Sequence, residues 1–170
     1  MNYSLLRAIS TAACASVVAL GCSTITPTGT PPATLAPDAT VAQVYVYKQT
    51  PSGYAKFMEL GGLGGVAIYV DDHRACTLSE DTYARIIVAP GGHEIKGKVT
   101  AFGIPGPTVG TITLELASGD TRYIHVESHR EPGLGLYVIM PYVYQTMNSV
   151  DAEAGASAIA QLREISCNVN

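Results

Sequence analysis

Histidines and acidic residues are the side chains of this chain that could carry catalytic or metal chemistry. A hydrolase places a nucleophile beside a base and an orienting group, and a zinc site collects several ligands. The chain contains neither a G-x-S-x-G nor an H-E-x-x-H motif, and a local motif of this kind is the usual signature of such sites. Its four histidines are scattered: His73, His93, His125 and His129. The residues therefore indicate no enzyme, although a triad assembled from distant loops would leave no local motif.

The segment Asp71-Asp72-His73 is the densest group of potential metal ligands. Adjacent aspartates are also typical of turns, because their side chains bond to nearby backbone and tolerate left-handed geometry. No distant set of ligands accompanies them, so we expect a turn and no metal or other cofactor. Of the later histidines, we expect His125 on a sheet face and His129 in a polar loop.

A glycine-rich run at 61–65 invites comparison with phosphate-binding loops. It lacks the following Lys-Ser/Thr pair, and a strand rather than a helix is predicted next, so the run indicates a flexible hairpin loop. The formal net charge of −4 offers no basic patch for nucleic acid and disfavours electrostatic binding to an anionic membrane surface.

The first residues have the pattern of an export signal that ends at a cysteine. Arg7 supplies a positive charge and residues 8–20 are uncharged, a run too short to cross a bilayer but suited to a signal peptide. The segment Val-Ala-Leu-Gly-Cys at 18–22 resembles the lipobox of bacterial lipoproteins, with alanine at position 19, where leucine is more usual. The resemblance implies that 1–21 is a cleaved signal peptide and that Cys22 is lipidated. An ordinary cleaved signal with a chance cysteine is the alternative.

Lipidation would decide how the protein meets a membrane. Several acyl chains on one cysteine anchor a protein far more firmly than a single chain does. Ser23 follows the cysteine, which under the enterobacterial sorting rule implies the outer membrane, facing the periplasm. Residues 22–39 combine the lipidated cysteine with a segment rich in proline and threonine. Such a segment is expected to form a semi-rigid tether, so the folded domain is expected at 40–170.

Two further cysteines, Cys76 and Cys167, lie in the expected domain. Thiols pair in the oxidising compartments that exported proteins enter. We therefore predict a disulfide that ties the C-terminal tail to the sheet. The alternative is two separate buried thiols.

Short runs of alternating apolar and polar residues between turn signals predict a β-rich domain. The strands are predicted at 41–47, 66–70, 74–78, 83–88, 93–99, 111–116, 121–126 and 134–143. In the first strand, one face is predicted to carry Ala42, Val44 and Val46 and the other Gln43, Tyr45 and Tyr47. Turns at 90–92 and 118–120 are expected to fold consecutive strands into hairpins. One helix is predicted at 149–164, capped by Asn148 or Ser149. The pattern indicates a mainly β fold, an antiparallel β-sandwich with one C-terminal α-helix.

Four segments carry a family resemblance: VYVYK, AIYVDD, IIVAPGGHEI and TLELASGDTRYIHVE. Their order resembles that of a bacterial lipoprotein domain, domain of unknown function twenty-eight forty-six, and of the related PEGA-type surface domains. The chain departs from the family pattern with Asp72 in place of glycine and with a longer Gly/Pro loop at 102–109. The resemblance implies a small immunoglobulin-like or PEGA-like β-sandwich on an envelope lipoprotein, with no catalytic residues to transfer.

Tyr45, Tyr47, Tyr69 and Tyr123 would form an aromatic sheet face if their strands are neighbours. Exposed aromatic faces are contact sites for proteins or glycans. The alternative, which we favour, is that these rings are buried beneath the C-terminal helix.

Taken together, these patterns predict a membrane-anchored lipoprotein of the bacterial cell envelope. Its domain is expected to be a non-enzymatic structural or protein-interaction module that binds an unidentified envelope protein. One alternative is a small-ligand or glycan-binding lipoprotein that uses the loops at 50–65 and 102–109. A weaker alternative is an envelope hydrolase.

Overall fold

The computed structural model describes residues 40–50, 65–101, 103–131 and 142–167. Within them the chain forms two β-sheets and a single C-terminal helix, which confirms the predicted mainly β fold class. The elements in chain order are β1 Ala42–Lys48, β2 Gly65–Val70, β3 His73–Leu78, β4 Thr82–Val88, β5 Gly91–Ala101, β6 Ile104–Leu116, β7 Thr121–Glu131, β8 Tyr142–Val150, α1 Ala152–Ile159 and β9 Arg163–Ile165.

The first sheet has the strand order β8-β7-β1-β4-β9 and the second the order β3-β2-β5-β6. Within the first sheet, β1 pairs with β7 and β4 with β9 in parallel, whereas the other pairs are antiparallel. The predicted antiparallel arrangement therefore holds for five of these seven strand pairs and not for β1–β7 and β4–β9. Parallel neighbours need a crossover connection, and here the chain reaches β7 by way of the second sheet and β9 by way of α1.

The two predicted glycine hairpins are connections between the sheets. Residues 89–90 lead from β4 in the first sheet to β5 in the second, and residues 117–120 lead from β6 back to β7 in the first. Gly91 and Gly119 have φ values of +136° and +81°, which L side chains rarely adopt. The turn signals were placed correctly, but the predicted pairing of the flanking strands is wrong. The Asp71-Asp72 turn does join paired strands, β2 and β3, so that prediction is confirmed.

Inward-facing side chains from both sheets form one hydrophobic core, which is consistent with a β-sandwich. Ala42, Val44 and Val46 of β1 lie in this core, while Tyr45 and Tyr47 lie on the opposite face of the same strand. The alternation predicted for the first strand is thus confirmed. The buried members of the core are Ala42, Val44, Val46, Val66, Ile68, Val70, Ala75, Leu78, Ala84, Ile86, Val88, Ile95, Leu114, Leu116, Ile124, Val126 and Met147.

One side of the domain closes where β6 of the second sheet meets β8 of the first. Gly97 and Gly110 are opposite each other on β5 and β6, and the side chain of Met147 lies against both. A methyl group on Gly110 would be 2.9 Å from Met147 Cβ, closer than carbon atoms pack. Glycine at this position therefore permits the close approach of the two sheets.

The other side of the domain is joined by a disulfide between Cys76 on β3 and Cys167, which follows β9. The two Cα atoms are 4.9 Å apart although the residues are separated by 91 positions. The bond ties the C-terminal segment of the first sheet to the edge of the second and confirms the predicted pairing.

The helix is shorter than the predicted 149–164. It begins after Asp151, whose Oδ1 accepts a hydrogen bond of 2.8 Å from the Ala154 N–H. Ser149 and Val150 belong to β8, where they pair with Ile124 and Tyr123. Backbone pairing with β7 thus replaces the expected cap at Asn148 or Ser149. Most of the strand predicted at 134–143 lies outside the described residues.

Candidate functional site

The outer face of the first sheet carries a tyrosine cluster beneath α1. The cluster consists of Tyr45, Tyr47, Tyr83 and Tyr123, packed with the apolar side chains of Ile159 and Leu162. The rings of Tyr45 and Tyr123 stack with centroids 5.2 Å apart, and the side chains are 1% and 6% exposed. The sequence left two interpretations open, an exposed aromatic face or burial beneath the helix. Tyr45, Tyr47 and Tyr123 are buried beneath the helix. They are therefore not available as a free contact face.

Burial governs the ionisation of this cluster. It raises the pKa of Tyr45 and Tyr123. Burial, reinforced by the nearby Glu164 carboxylate, raises the pKa of Tyr83 to about 12. The Tyr83 hydroxyl donates a hydrogen bond of 3.1 Å to Glu164 Oε2. These phenols therefore stay protonated near neutral pH, and their role is to hold α1 and β9 on the sheet.

Tyr69 does not belong to this face, and its grouping with the other three tyrosines is wrong. It lies on β2 of the second sheet, where Lys98 Nζ is 4.8 Å from its ring centroid. The alternation of β2 was visible in the sequence, but the sheet to which β2 belongs depends on pairing with β3 and β5.

Beyond the tyrosine cluster, the same outer face continues as a half-buried strip of histidine and tyrosine side chains. We define the outer strip as His125, Glu127 and His129 on β7 and Tyr144 on β8, next to the buried Tyr47 on β1. Tyr47 stacks on His125 with centroids 4.7 Å apart, and His129 stacks on Tyr144 at 5.0 Å. His125 was expected on a sheet face, as the structure places it. The expectation that His129 lies in a polar loop is wrong, because β7 extends to Glu131.

The stacking geometry determines which part of each ring faces outward. The rings of each pair belong to directly opposite residues on neighbouring strands, and their planes are 11° and 19° from parallel. Opposite residues in a sheet are about 5 Å apart, which matches the ring separations. The rings therefore stand on edge, and each shares one face with its neighbour.

The histidines of the outer strip differ in their hydrogen bonding. His129 Nε2 is 2.8 Å from Thr146 Oγ1 and 3.6 Å from Glu127 Oε2. His125 Nε2 is buried and has no hydrogen-bond partner within the described part of the chain. Burial lowers the pKa of His125, with Glu127 opposing the shift. Its imidazole is therefore neutral at pH 7.

Asp71 and His93, which come from two of the segments that carry the family resemblance, are joined by a hydrogen bond. His93 Nδ1 is 2.7 Å from Asp71 Oδ2, and His93 Nε2 is 2.8 Å from the Ala89 carbonyl oxygen. Asp71 Oδ1 accepts a hydrogen bond of 2.9 Å from the Glu94 N–H. Because both ring nitrogens are engaged, His93 has no free nitrogen to act as a general base in this conformation.

Sequence reasoning missed a buried ion pair at the end of β1. Lys48 is 0% exposed, and its Nζ contacts Glu80 Oε1 in the turn between β3 and β4. The Thr50 hydroxyl donates to the other carboxylate oxygen of Glu80 at 3.1 Å. The inward register of Lys48, two positions after Val46, is a signal that could have shown its burial. The ion pair holds the end of β1 against the turn between β3 and β4 and does not form an open site.

No three metal-binding side chains come together among the residues that the structure describes. Nor does any helix in these ranges have the length and hydropathy needed to cross a bilayer. The predicted signal peptide, the predicted lipidation site Cys22, the predicted tether up to Ala39 and the loop at 51–64 lie outside the described residues. A Gly/Pro loop was expected at 102–109. That expectation is wrong for residues 104–109, which form the first part of β6 because this segment pairs with β5.

Comparison of the chain with models of protein families, with curated proteins and with solved structures found no match. The resemblance drawn from the four segments therefore stays a prediction.

Proposed function

We propose that this chain is a lipid-anchored lipoprotein of the bacterial cell envelope, whose domain is a non-enzymatic protein-interaction module. In this proposal, residues 1–21 are removed on export, Cys22 receives acyl chains, and residues 22–39 hold the domain off the periplasmic face of the outer membrane. The observation that supports export best is the Cys76–Cys167 disulfide. Disulfides form and persist in oxidising compartments such as the periplasm and are rare in the cytosol.

The pairing of the domain cysteines also supports the role of Cys22. Of the four cysteines in the chain, Cys76 and Cys167 are joined to each other and Cys14 lies within the proposed signal segment. In the proposed mature chain, Cys22 is then the cysteine that remains for acylation. Each buried methylene contributes about 0.8 kcal/mol to membrane binding, so three acyl chains would anchor the protein permanently.

The outer strip is the surface that we assign to contact with an envelope protein. Within it, the side chains of His129 and Glu127 are 33% and 45% exposed, and their nitrogen and carboxylate groups suit hydrogen bonding to a protein partner. A glycan platform would instead present open ring faces. Both ring nitrogens of His93 already have hydrogen-bond partners, which gives no support to a hydrolase built on the Asp71–His93 pair.

Mass spectrometry of the membrane-extracted protein tests the anchor. We expect a mature chain that begins at Cys22, carries acyl chains, and contains the intact disulfide. Cys22→Ala should abolish acylation and release the protein from the membrane, whereas the matched control Cys14→Ala should change neither. An unmodified Cys22 in the wild-type protein would refute the proposed anchor.

Photo-crosslinking in intact cells tests the interaction surface. Probes at positions 129 and 144, in the outer strip, are compared with a probe at Thr113, which is exposed on the second sheet. A recurrent protein captured from the strip but not from position 113 would support the proposal. Equal capture from all three positions would contradict it, and capture of peptidoglycan fragments alone would favour the glycan-binding alternative.

A further inference from the structure

His93 bridges two connections that belong to different parts of the fold. Asp71 lies in the turn between β2 and β3, whereas Ala89 lies in the connection that carries the chain from the first sheet to the second. The ring contacts both, with Nδ1 at 2.7 Å from Asp71 Oδ2 and Nε2 at 2.8 Å from the Ala89 carbonyl oxygen. The side chain of His93 is 14% exposed, whereas that of Asp71 is 47% exposed.

The two partners determine the protonation state of the ring. A carbonyl oxygen and a carboxylate are both acceptors, so each ring nitrogen must carry a hydrogen to bond with them. A neutral imidazole has one N–H, whereas the imidazolium has two. The ring can therefore donate to both partners at once only when His93 is positively charged.

The surroundings hold Asp71 in place for this contact. Its Oδ1 accepts from the Glu94 N–H at 2.9 Å, and its own N–H donates to the Glu94 carbonyl oxygen at 2.9 Å. The charged groups facing the pair are Glu115 on β6 and His73 beside the turn. The hydrogen bond to Asp71 raises the pKa of His93, with burial opposing the shift.

We propose that His93 is a pH-sensitive clasp that fastens the inter-sheet connection at Ala89 to the β2–β3 turn only while its ring is doubly protonated. Loss of one proton leaves a single donor, which can serve Asp71 or Ala89 but not both. The connection then loses one of its anchors next to Gly91, whose φ of +136° leaves the backbone free of Cβ restraints. This end of the domain is therefore held less firmly as pH rises, because His93 keeps only one of its two contacts.

Ring nitrogen chemical shifts of the full-length protein test the protonation state directly. We expect both nitrogens of His93 to be protonated at pH 6 and the ring to titrate above its ordinary pKa. A neutral ring at pH 6, or a titration at or below the ordinary value, would overturn the proposal. Because this measurement uses the wild-type chain, it holds even if a substitution fails to fold.

Amide hydrogen exchange tests the opening itself. After correction for intrinsic exchange, we expect protection of the Asp71 and Glu94 amides to fall about tenfold as pH rises through the pKa of His93, because one charge-assisted hydrogen bond is lost. His93→Gln should show low protection that no longer depends on pH in this range, while the control His129→Gln, on β7 of the first sheet, should behave as wild type. Wild-type protection that does not change with pH would overturn the clasp.

Discussion

Gly155 of α1 lies directly on the ring of Tyr123, so that a Cβ added at Gly155 would enter the ring. The contact brings the helix close enough to bury both Tyr123 and Ile159. Helix propensity alone favours alanine over glycine by about 1 kcal/mol. The tertiary contact opposes this preference, because an added methyl group would force the helix or the Tyr123 ring, which stacks on Tyr45, to shift.

We expect Gly155→Ala to lower the free energy of unfolding by about 1–3 kcal/mol, since overpacking outweighs the gain in helix propensity. Urea unfolding followed by circular dichroism measures the change. Ser157→Ala, at an exposed position of the same helix, is the matched control and should change stability by less than about 0.5 kcal/mol. A Gly155→Ala variant that is more stable than the wild type would show that α1 is not held against Tyr123.

Gly110 tests the closure of the domain on the side of β8. A methyl group there would be 2.9 Å from Met147 Cβ, so we expect Gly110→Ala to destabilise the protein by about 1–3 kcal/mol. At Gly106, on the same strand, the corresponding methyl would make an ordinary contact of 3.4 Å with the Val99 carbonyl oxygen. Gly106→Ala should therefore be tolerated. Equal thermal unfolding temperatures for the two variants would contradict the close approach at Met147.

The Cys76–Cys167 disulfide should contribute about 2–5 kcal/mol to stability, because it closes a long loop in the unfolded chain. We expect the double substitution Cys76→Ala with Cys167→Ala to lower the unfolding temperature. Reducing agent should lower it for the wild type as well and leave the double variant unchanged. A wild-type protein that is insensitive to reduction under unfolding conditions would contradict this prediction.

The Asp71–His93 pair should make the free energy of unfolding depend on pH in two regions, one above about pH 6.5 and one below about pH 3.9. The pKa of His93 is raised in the folded state, so its contribution is complete below the ordinary pKa of about 6.5 and is lost as pH rises through the higher folded value. The pKa of Asp71 is lowered, chiefly by the hydrogen bond from the Glu94 backbone. Its contribution is therefore present above the ordinary value of about 3.9 and is lost as pH falls through the folded value.

We expect Asp71→Asn to lower the free energy of unfolding at pH 6 by about 1 kcal/mol, as for one partly exposed charged hydrogen bond, and to flatten both pH dependences. Asp72→Asn is a matched control, because both residues have positive φ and asparagine tolerates that geometry. Asp72 contacts Lys96 at the surface, so its variant should keep the His93-dependent loss above pH 6.5. Chemical unfolding at several pH values would distinguish the two, and identical profiles would contradict the assignment.

Local patterns in the sequence were sufficient to predict much of the secondary structure. The alternation in β1 correctly divided Val44 and Val46 from Tyr45 and Tyr47, since successive side chains of a strand point to opposite faces. The Asp71-Asp72 turn was also predictable, because the residue types that tolerate left-handed backbone are few.

The sheet to which each strand belongs could not be predicted in this way. Glycine turns at 90–92 and 118–120 have the composition of hairpin turns, yet they connect strands in different sheets. The separation of Tyr69 from Tyr123 follows from the same assignment. A turn signal reports the backbone of a few residues, whereas strand pairing depends on apolar faces that are distant in the sequence.

The sequence by itself determined the mainly β class, the faces of the first strand, the turn at Asp71 and the two cysteines able to pair. Only the tertiary structure decided the parallel pairs β1–β7 and β4–β9, the short helix over Tyr123, the upright rings of the outer strip and the bridge from Asp71 through His93 to Ala89. The first group depends on propensities and alternation over a few neighbouring residues. The second depends on which buried surfaces meet when the whole chain packs, and that is set by contacts between residues far apart along it.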